Sequence, residues 1–347
     1  MKKFFLPIGC FILLLFCIVK VHSQNWEEKE AVNAIYHWKT TFDPTQEEWD
    51  FIKNNDIKRM YVRFFDVDDD PKPIATTIFK QNLPQDIEII PTTFITVSAC
   101  YCNSWDSEGM EIDGCRELAD KIVGRLLKMS QAQNVTVKEV QFDCDWTSYT
   151  EDKFFQLCAY ARDTLHKLGI DLSVTIRLHQ LGVLKNVPAD RGVLMLYNTS
   201  NLKNYYEKNS ILTHDAVNQY LARVPQTHTL DLDFAYPIYS WGIWFDEDQY
   251  FKGILRKVDV SNKKLYKPIG DNFYEVLQDH QIDSRKVLTG HFIRWENSEY
   301  NEVMKVKKEI EAYPALKGDR YSVILYHLDI NNISKFSQNE IENIYSH

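Results

Sequence analysis

Apolar and β-branched residues gather in eight short runs, at 34–39, 58–67, 87–98, 138–146, 171–179, 192–198, 230–239 and 321–329. Runs of this length and composition predict strands. Between most of them the apolar spacing shifts to the helical period. In 115–133, Leu118, Ile122, Leu126 and Met129 recur at helical intervals and predict one buried helix face. Further helices are predicted at 45–55, 150–169, 213–224, 298–313 and 334–345. The first opens on Thr45 with Glu48 three residues on, the spacing of a capping box. Thr150 caps the helix that ends at Gly169, and Thr213 opens the next.

Eight strands alternating with helices predict an α/β fold, a (β/α)8 TIM barrel. The expected domain runs from 24 to 347 as a single barrel. The stretch 240–297 is too long for one barrel loop and contains two further strand-like runs, "FKGILRKVDV" and "RKVLTGHFIRWE". It is expected as an insertion on the rim after strand seven. No glycine-rich phosphate-binding motif follows any strand, so no nucleotide cofactor is expected.

The chain begins differently. Lys2 and Lys3 precede an apolar run from Gly9 to Val19, too short for a comfortable bilayer span. Val21 and Ser23 supply small residues at −3 and −1, so 1–23 reads as a signal peptide cleaved before Gln24. Export to a periplasm or cell surface is the expectation. Cys10 and Cys17 raise a lipid anchor as the rival, but Phe16 is bulky before Cys17 and Cys10 comes early. Membrane attachment is expected only through such an anchor.

Charge narrows the partners. The chain has 40 Lys+Arg against 49 Asp+Glu, net −9. Losing Lys2, Lys3 and Lys20 with the signal makes it more acidic still. That balance argues against nucleic acid. Aromatics make up 13%, with 8 Trp and 19 Tyr, which serves a large core and also flat surfaces for sugars. Five cysteines follow the signal: Cys100, Cys102, Cys115, Cys144 and Cys158. Export permits disulfides, and a Cys102–Cys115 or Cys100–Cys115 clip fits their spacing. Paired C-x-x-C knuckles are lacking, so no metal site is expected.

The chemistry concentrates in "EVQFDCDWTSYT" at 139–150. Strand alternation puts Gln141, Asp143, Asp145 and Thr147 on one face and Val140, Phe142, Cys144 and Trp146 on the other. Two carboxylates facing a barrel interior are costly unless they are used or paired. Either they form an acid/base pair, or Arg63 or Arg177 neutralises them. Other strand ends add His37, Trp38, Arg63, Asp66, Asp68, Arg177, His179, Gln180, Tyr197, Asn198, Asp231, Asp233, Tyr236, Tyr239, Trp241, Tyr326, His327 and Asp329. Together they make a mix of aromatics, carboxylates and amides suited to carbohydrate. "DVDDD" at 66–70 lacks the glycine and distal Glu of a calcium loop and reads as a solvated turn.

The run "FDCDWT" resembles the D-x-x-D-x-D-x-E strand of the chitinase-like family 18 glycoside hydrolases. Asp143 and Asp145 match its second and third Asp, and Trp146 its common Trp. "MLYN" at 195–198 is similar to that family's M-x-Y-D, "AYPIYSWG" at 235–242 to its seventh-strand segment, and "LYHLD" at 325–329 to its last strand, with Tyr326 in place of Trp. "IYHW" fits the first strand. Val140 replaces the first signature Asp, and Thr147 replaces the Glu that protonates the leaving oxygen in that family. A threonine hydroxyl is too weak an acid for that task.

Two functions are therefore expected. One is an exported glycoside-hydrolase-like enzyme with Asp145 as proton donor and Asp143 as its ionised partner. Trp38, Arg63, Arg177, His179, Tyr197, Asn198, Tyr236 and Tyr326 would line the substrate cleft. Asp233, Glu296 and Asp329 are the alternative acids. The other is a barrel that binds glycans without cleaving them. A structural cell-surface role is a weaker third.

Overall fold

The computed structural model describes residues 29–68, 76–102, 114–225 and 227–346, and the expected signal peptide lies outside them. Eight parallel strands close into a barrel. They are β1 (Glu30–His37), β2 (Arg59–Val67), β3 (Glu88–Ile95), β4 (Glu139–Cys144), β5 (Asp171–Arg177), β6 (Arg191–Met195), β7 (Leu232–Pro237) and β8 (Arg320–Tyr326). Each pairs with its successor and β8 pairs with β1, the chain-order closure of a (β/α)8 barrel.

Helices α1 (Gln46–Asn54), α2 (Gly114–Ala132), α3 (Glu151–His166), α4 (His214–Leu221) and α5 (Tyr300–Glu311) lie close to their predicted spans. The predicted helix at 334–345 is observed as Gln338–Tyr345, opened by a Ser337–Glu340 capping box, and a separate short helix, Ile330–Ile333, precedes it. Thr45 and Glu48 form the capping box read from the sequence. Thr150 does not cap α3; its Oγ1 takes the Thr147 N–H at 3.0 Å instead. Thr213 makes no side-chain cap either.

Barrel closure sorts each strand into an inward and an outward row. A bulge in β2 between Arg63 and Phe65 shifts that sorting once. Phe64 and Phe65 both turn outward, toward Phe79 and Arg125, and Asp66 returns inward beside Arg63. The expected solvated turn at 66–70 is thereby corrected at its start, because Asp66 is buried in an ion pair.

The floor of the barrel is ionic. Arg59 reaches Glu88 at 2.9 Å, Glu139 at 2.8 Å and Asp233 at 3.5 Å. Asp233 also takes Arg191 at 3.0 Å, the Tyr61 hydroxyl at 3.0 Å and the Ser322 N–H at 2.6 Å. Asp233 therefore belongs to the N-terminal floor and is no candidate acid at the mouth. The expectation placed it at a strand end without knowing which end of β7 it occupied.

Residues 240–297 leave the C-terminal end of β7 and form a five-stranded antiparallel sheet in the order Phe251–Leu255, Ser240–Phe245, Phe292–Asn297, Phe273–Val276 and Tyr266–Pro268. Trp244, Leu255, Val276, Val287 and Ile293 pack there as a cluster separate from the barrel core. Among the described residues, no helix is long and apolar enough to cross a membrane.

Removing one member of the buried floor strands the others without a counter-charge. Asp233→Ala should lower the unfolding free energy by about 3–5 kcal/mol, measured by urea denaturation. A loss under about 1 kcal/mol would show that Arg59 and Arg191 do not need Asp233.

Candidate functional site

The site is built on β4. Its inward row reads Glu139, Gln141, Asp143 and then Asp145 just past the strand end. Glu139 goes to the floor. Gln141 takes the Tyr36 hydroxyl at 2.6 Å. Asp143 is buried, takes the Thr175 hydroxyl at 2.7 Å and meets the Arg177 guanidinium at 3.2 Å. Asp145 lies above it, 52% exposed, and pairs with Nε of the same guanidinium. One arginine thus holds both carboxylates.

Arg177 ends β5, and its position is fixed by the backbone around it. The Gln180 side chain accepts the Arg177 N–H at 2.7 Å and donates to the Trp146 carbonyl at 2.8 Å. This staples the Asp145–Trp146 segment to the end of β5. Burial alone disfavours the Arg177 charge, but Asp143 and Asp145 outweigh it and raise the pKa. Burial likewise raises the Asp143 pKa; Arg177 opposes the rise and Asp145 adds to it. Sequence parity had assigned the raised acid to Asp145, with Asp143 ionised below it. The structure puts burial, the cause of such a rise, on Asp143.

Above the carboxylates runs an aromatic wall. Tyr326 lies 4.7 Å from Tyr197, 5.8 Å from Tyr239 and 6.2 Å from Trp38 between ring centroids. Tyr239 continues to Trp241 at 5.2 Å. Arg63 sits over the Trp38 ring at 5.5 Å while its guanidinium pairs with Asp66. Burial pushes the Tyr36, Tyr197, Tyr239 and Tyr326 phenols up, so each stays a neutral hydroxyl. The Tyr239 hydroxyl donates to Asn198 Oδ1 at 2.9 Å. Asn198 is exposed and holds a left-handed backbone, φ 56°, where the chain turns away from β6. His179 stands beside Asp145 and Arg177, open to solvent.

Most of the predicted residues therefore meet at one mouth: Trp38, Arg63, Asp143, Asp145, Arg177, His179, Tyr197, Asn198 and Tyr326. Tyr236 does not. Asp233 faces inward, so parity sends Tyr236 outward, where Tyr321 and Glu311 are its neighbours under α5. Asp329 is tied to Lys39 at 3.0 Å. Glu296 is buried, paired with Arg294, and accepts the Trp241 indole N–H at 2.7 Å. Its part is to orient Trp241. Tyr36 and Thr175 were missed by the sequence reading, although Thr175 shares the parity of Arg177 in "VTIRLHQ".

The chain has the fold of the chitinase-like glycoside hydrolase barrels. It superposes on a chitinase from Chromobacterium violaceum with TM-score 0.52 at 13% identity, covering 90% of this chain and 98% of that one. A Group IV chitinase from Ostrinia furnacalis, solved with allosamidin, gives TM-score 0.51 at 10% identity over 91% of this chain and 98% of that one. A spore cortex-lytic enzyme from Bacillus megaterium gives 0.50 at 14% identity over 92% of this chain and 74% of that one. No protein-family model matches the chain, and no curated protein matches its sequence.

Behind the aromatic wall His37 is buried against Phe42, and neither of its ring nitrogens has a partner among the described residues. Burial, with Lys39 and His327 adding, lowers its pKa to about 3. A histidine with a depressed folded pKa stabilises fully above its unfolded value of about 6.5 and loses that contribution as pH falls. Between pH 6.5 and 5 the unfolded chain binds a proton that the folded chain does not. His37→Leu should therefore flatten the fall of stability over this window by up to about 1.4 kcal/mol per pH unit, read from denaturation curves at several pH values. Parallel curves for both proteins would place the histidine's titration elsewhere.

Proposed function

We propose that this barrel recognises a glycan at its C-terminal mouth and holds it without the proton donor of the chitinase scheme. The observation that carries this reading is Arg177 shared by Asp143 and Asp145, with Thr147 at the position where the resemblance requires a glutamate. An arginine partner favours the ionised carboxylate. A general acid must carry its proton near working pH. At Asp145 the guanidinium that a proton donor would have to stand clear of is instead its ion-pair partner.

The rest of the mouth suits sugar binding. Trp38, Tyr326 and Trp241 offer ring faces for the apolar side of a pyranose. Arg177, Asn198, Asp145 and the tyrosine hydroxyls offer donors and acceptors for its hydroxyls. The fold neighbours named above are chitinases and a cortex-lytic enzyme, which makes a polysaccharide the partner class to test first. Export through the N-terminal segment would bring the protein to such a polymer.

Hydrolysis with Asp145 as donor is the second reading. It is favoured by the 52% exposure of Asp145 at the open end of the barrel, where a substrate arrives. It requires Arg177 to release Asp145 when substrate binds, leaving the guanidinium to Asp143.

Titration calorimetry against chitin oligosaccharides and a wider glycan panel, paired with product analysis, separates the two readings. Under the binding reading the wild type binds without releasing product, and Trp38→Ala or Trp241→Ala weakens binding on the order of 10-fold. Under the hydrolytic reading the wild type releases product, and Asp145→Asn costs at least ~10²-fold in kcat. Absence of binding across the panel would sink both.

A further inference from the structure

Five cysteines lie among the described residues, all buried. They are not scattered. The sulfurs of Cys100 and Cys144 stand 3.2 Å apart. Cys102 and Cys115 share a thiol hydrogen bond. Cys158 is left over, its thiol close enough to Cys100 to feel its charge. A short 3-10 turn, Ala99–Tyr101, explains the sorting. Cys102 follows it with a left-handed backbone, φ 53°, so the chain reverses between the two thiols. Cys100 is thereby directed to β4, and Cys102 to Cys115 in the first turn of α2.

We propose that the chain folds with two disulfides, Cys100–Cys144 and Cys102–Cys115, and that Cys158 stays a free thiol. The Cys100–Cys144 separation exceeds the ~2.05 Å bond by roughly 1 Å, a rotamer-scale closure. The alternative clip, Cys100–Cys115, is disfavoured because Cys100 already faces Cys144. Each bond forms by exchange with an external disulfide such as oxidised glutathione. One protein thiolate attacks to give a mixed disulfide, and the second displaces the reduced carrier thiol. Two protein thiols are oxidised, two carrier thiols are released, and the two protons balance those thiols. The exchange belongs to folding, before the pairs are covered: once the chain is folded, the hydrogen bond to Cys100 and burial push the Cys144 thiol well up, away from the reactive thiolate.

The position of the first bond gives it consequence. Cys144 lies between Asp143 and Asp145 in the sequence, on the opposite face of β4. A bond to Cys100 anchors the end of the strand that carries both carboxylates. It anchors the β3 exit as well, where Thr96 and Ser98 donate to Asp68 at 2.8 and 3.0 Å. The second bond ties the same turn to α2. The rim beside the site is then stapled in two directions. This inference is independent of whether a glycan binds.

The test is refolding of the reduced, denatured chain in a glutathione redox buffer, followed by alkylation and non-reducing peptide mapping. Chymotrypsin cleaves at Tyr101 and separates Cys100 from Cys102. The expected map has Cys100 joined to Cys144, Cys102 joined to Cys115, and Cys158 alkylated. Cys115→Ser should keep the Cys100–Cys144 link, and Cys158→Ser should keep both. Dithiothreitol should lower the Tm of the oxidised protein on the order of 5 °C. Alkylation of all five cysteines, or a Cys100–Cys115 or Cys100–Cys158 link, would overturn the proposal.

Discussion

Strand β4 turns Glu139, Gln141, Asp143 and Asp145 in succession toward the axis of a closed barrel, and each must find a partner there. An uncompensated carboxylate in that interior would cost several kcal/mol. The partners come from almost every other strand. Arg59 of β2 takes Glu139, Tyr36 of β1 takes Gln141, and Thr175 and Arg177 of β5 take Asp143. Asp233 of β7 joins through Arg59, and Ser322 of β8 joins through Asp233. The inward row of one strand thus dictates polar chemistry around the whole barrel, from an ionic floor to an ionic mouth.

Those constraints explain which parts of the molecule could be read from the sequence. The strands and most helices were legible because burial of two-residue and helical periods leaves a direct trace in residue order. Asp143, Asp145 and Arg177 were legible for the same reason, since alternation settles a face and strand ends settle a height. Alternation misleads where the phase is unknown. Tyr236 looked like a cleft residue until Asp233 fixed the inward row of β7. Asp66 looked solvated because a bulge in β2 resets the phase just before it. The partner of each charge was not legible, because pairing depends on which strands become neighbours. The separate core of the insertion was hidden in the same way, spread over short strands whose pairing is not sequential.

The insertion also shows how far a charge can act through another residue. Arg294 is fully buried and would be untenable alone. It is satisfied by Glu296 at 2.6 Å and by the carbonyls of Leu202, Asn204 and Tyr205 from the segment after β6. Glu296 in turn takes Ser210 at 2.6 Å and the Trp241 indole at 2.7 Å. One buried ion pair therefore locks the insertion against the loop after β6 and sets the angle of the last ring in the aromatic wall. Glu296 entered the sequence reading as a spare acid. Its complete set of partners leaves it a positioning residue.

The same logic of satisfied charge bears on Thr147, which stands where the resemblance to the chitinase-like strand calls for a glutamate. A proton donor has to be poorly satisfied as an anion, or it will not hold a proton. Here the acid with that tendency, Asp143, is buried beneath Arg177, and the acid at the surface, Asp145, is offered a cation on the same guanidinium. The open position and the burial that raises a carboxyl pKa thus lie at two different residues. A carboxyl placed at Thr147 would join an open position to a proton-holding environment only if it stood clear of Arg177. Thr147 is exposed and its N–H is spent on Thr150, in the turn that leads into α3.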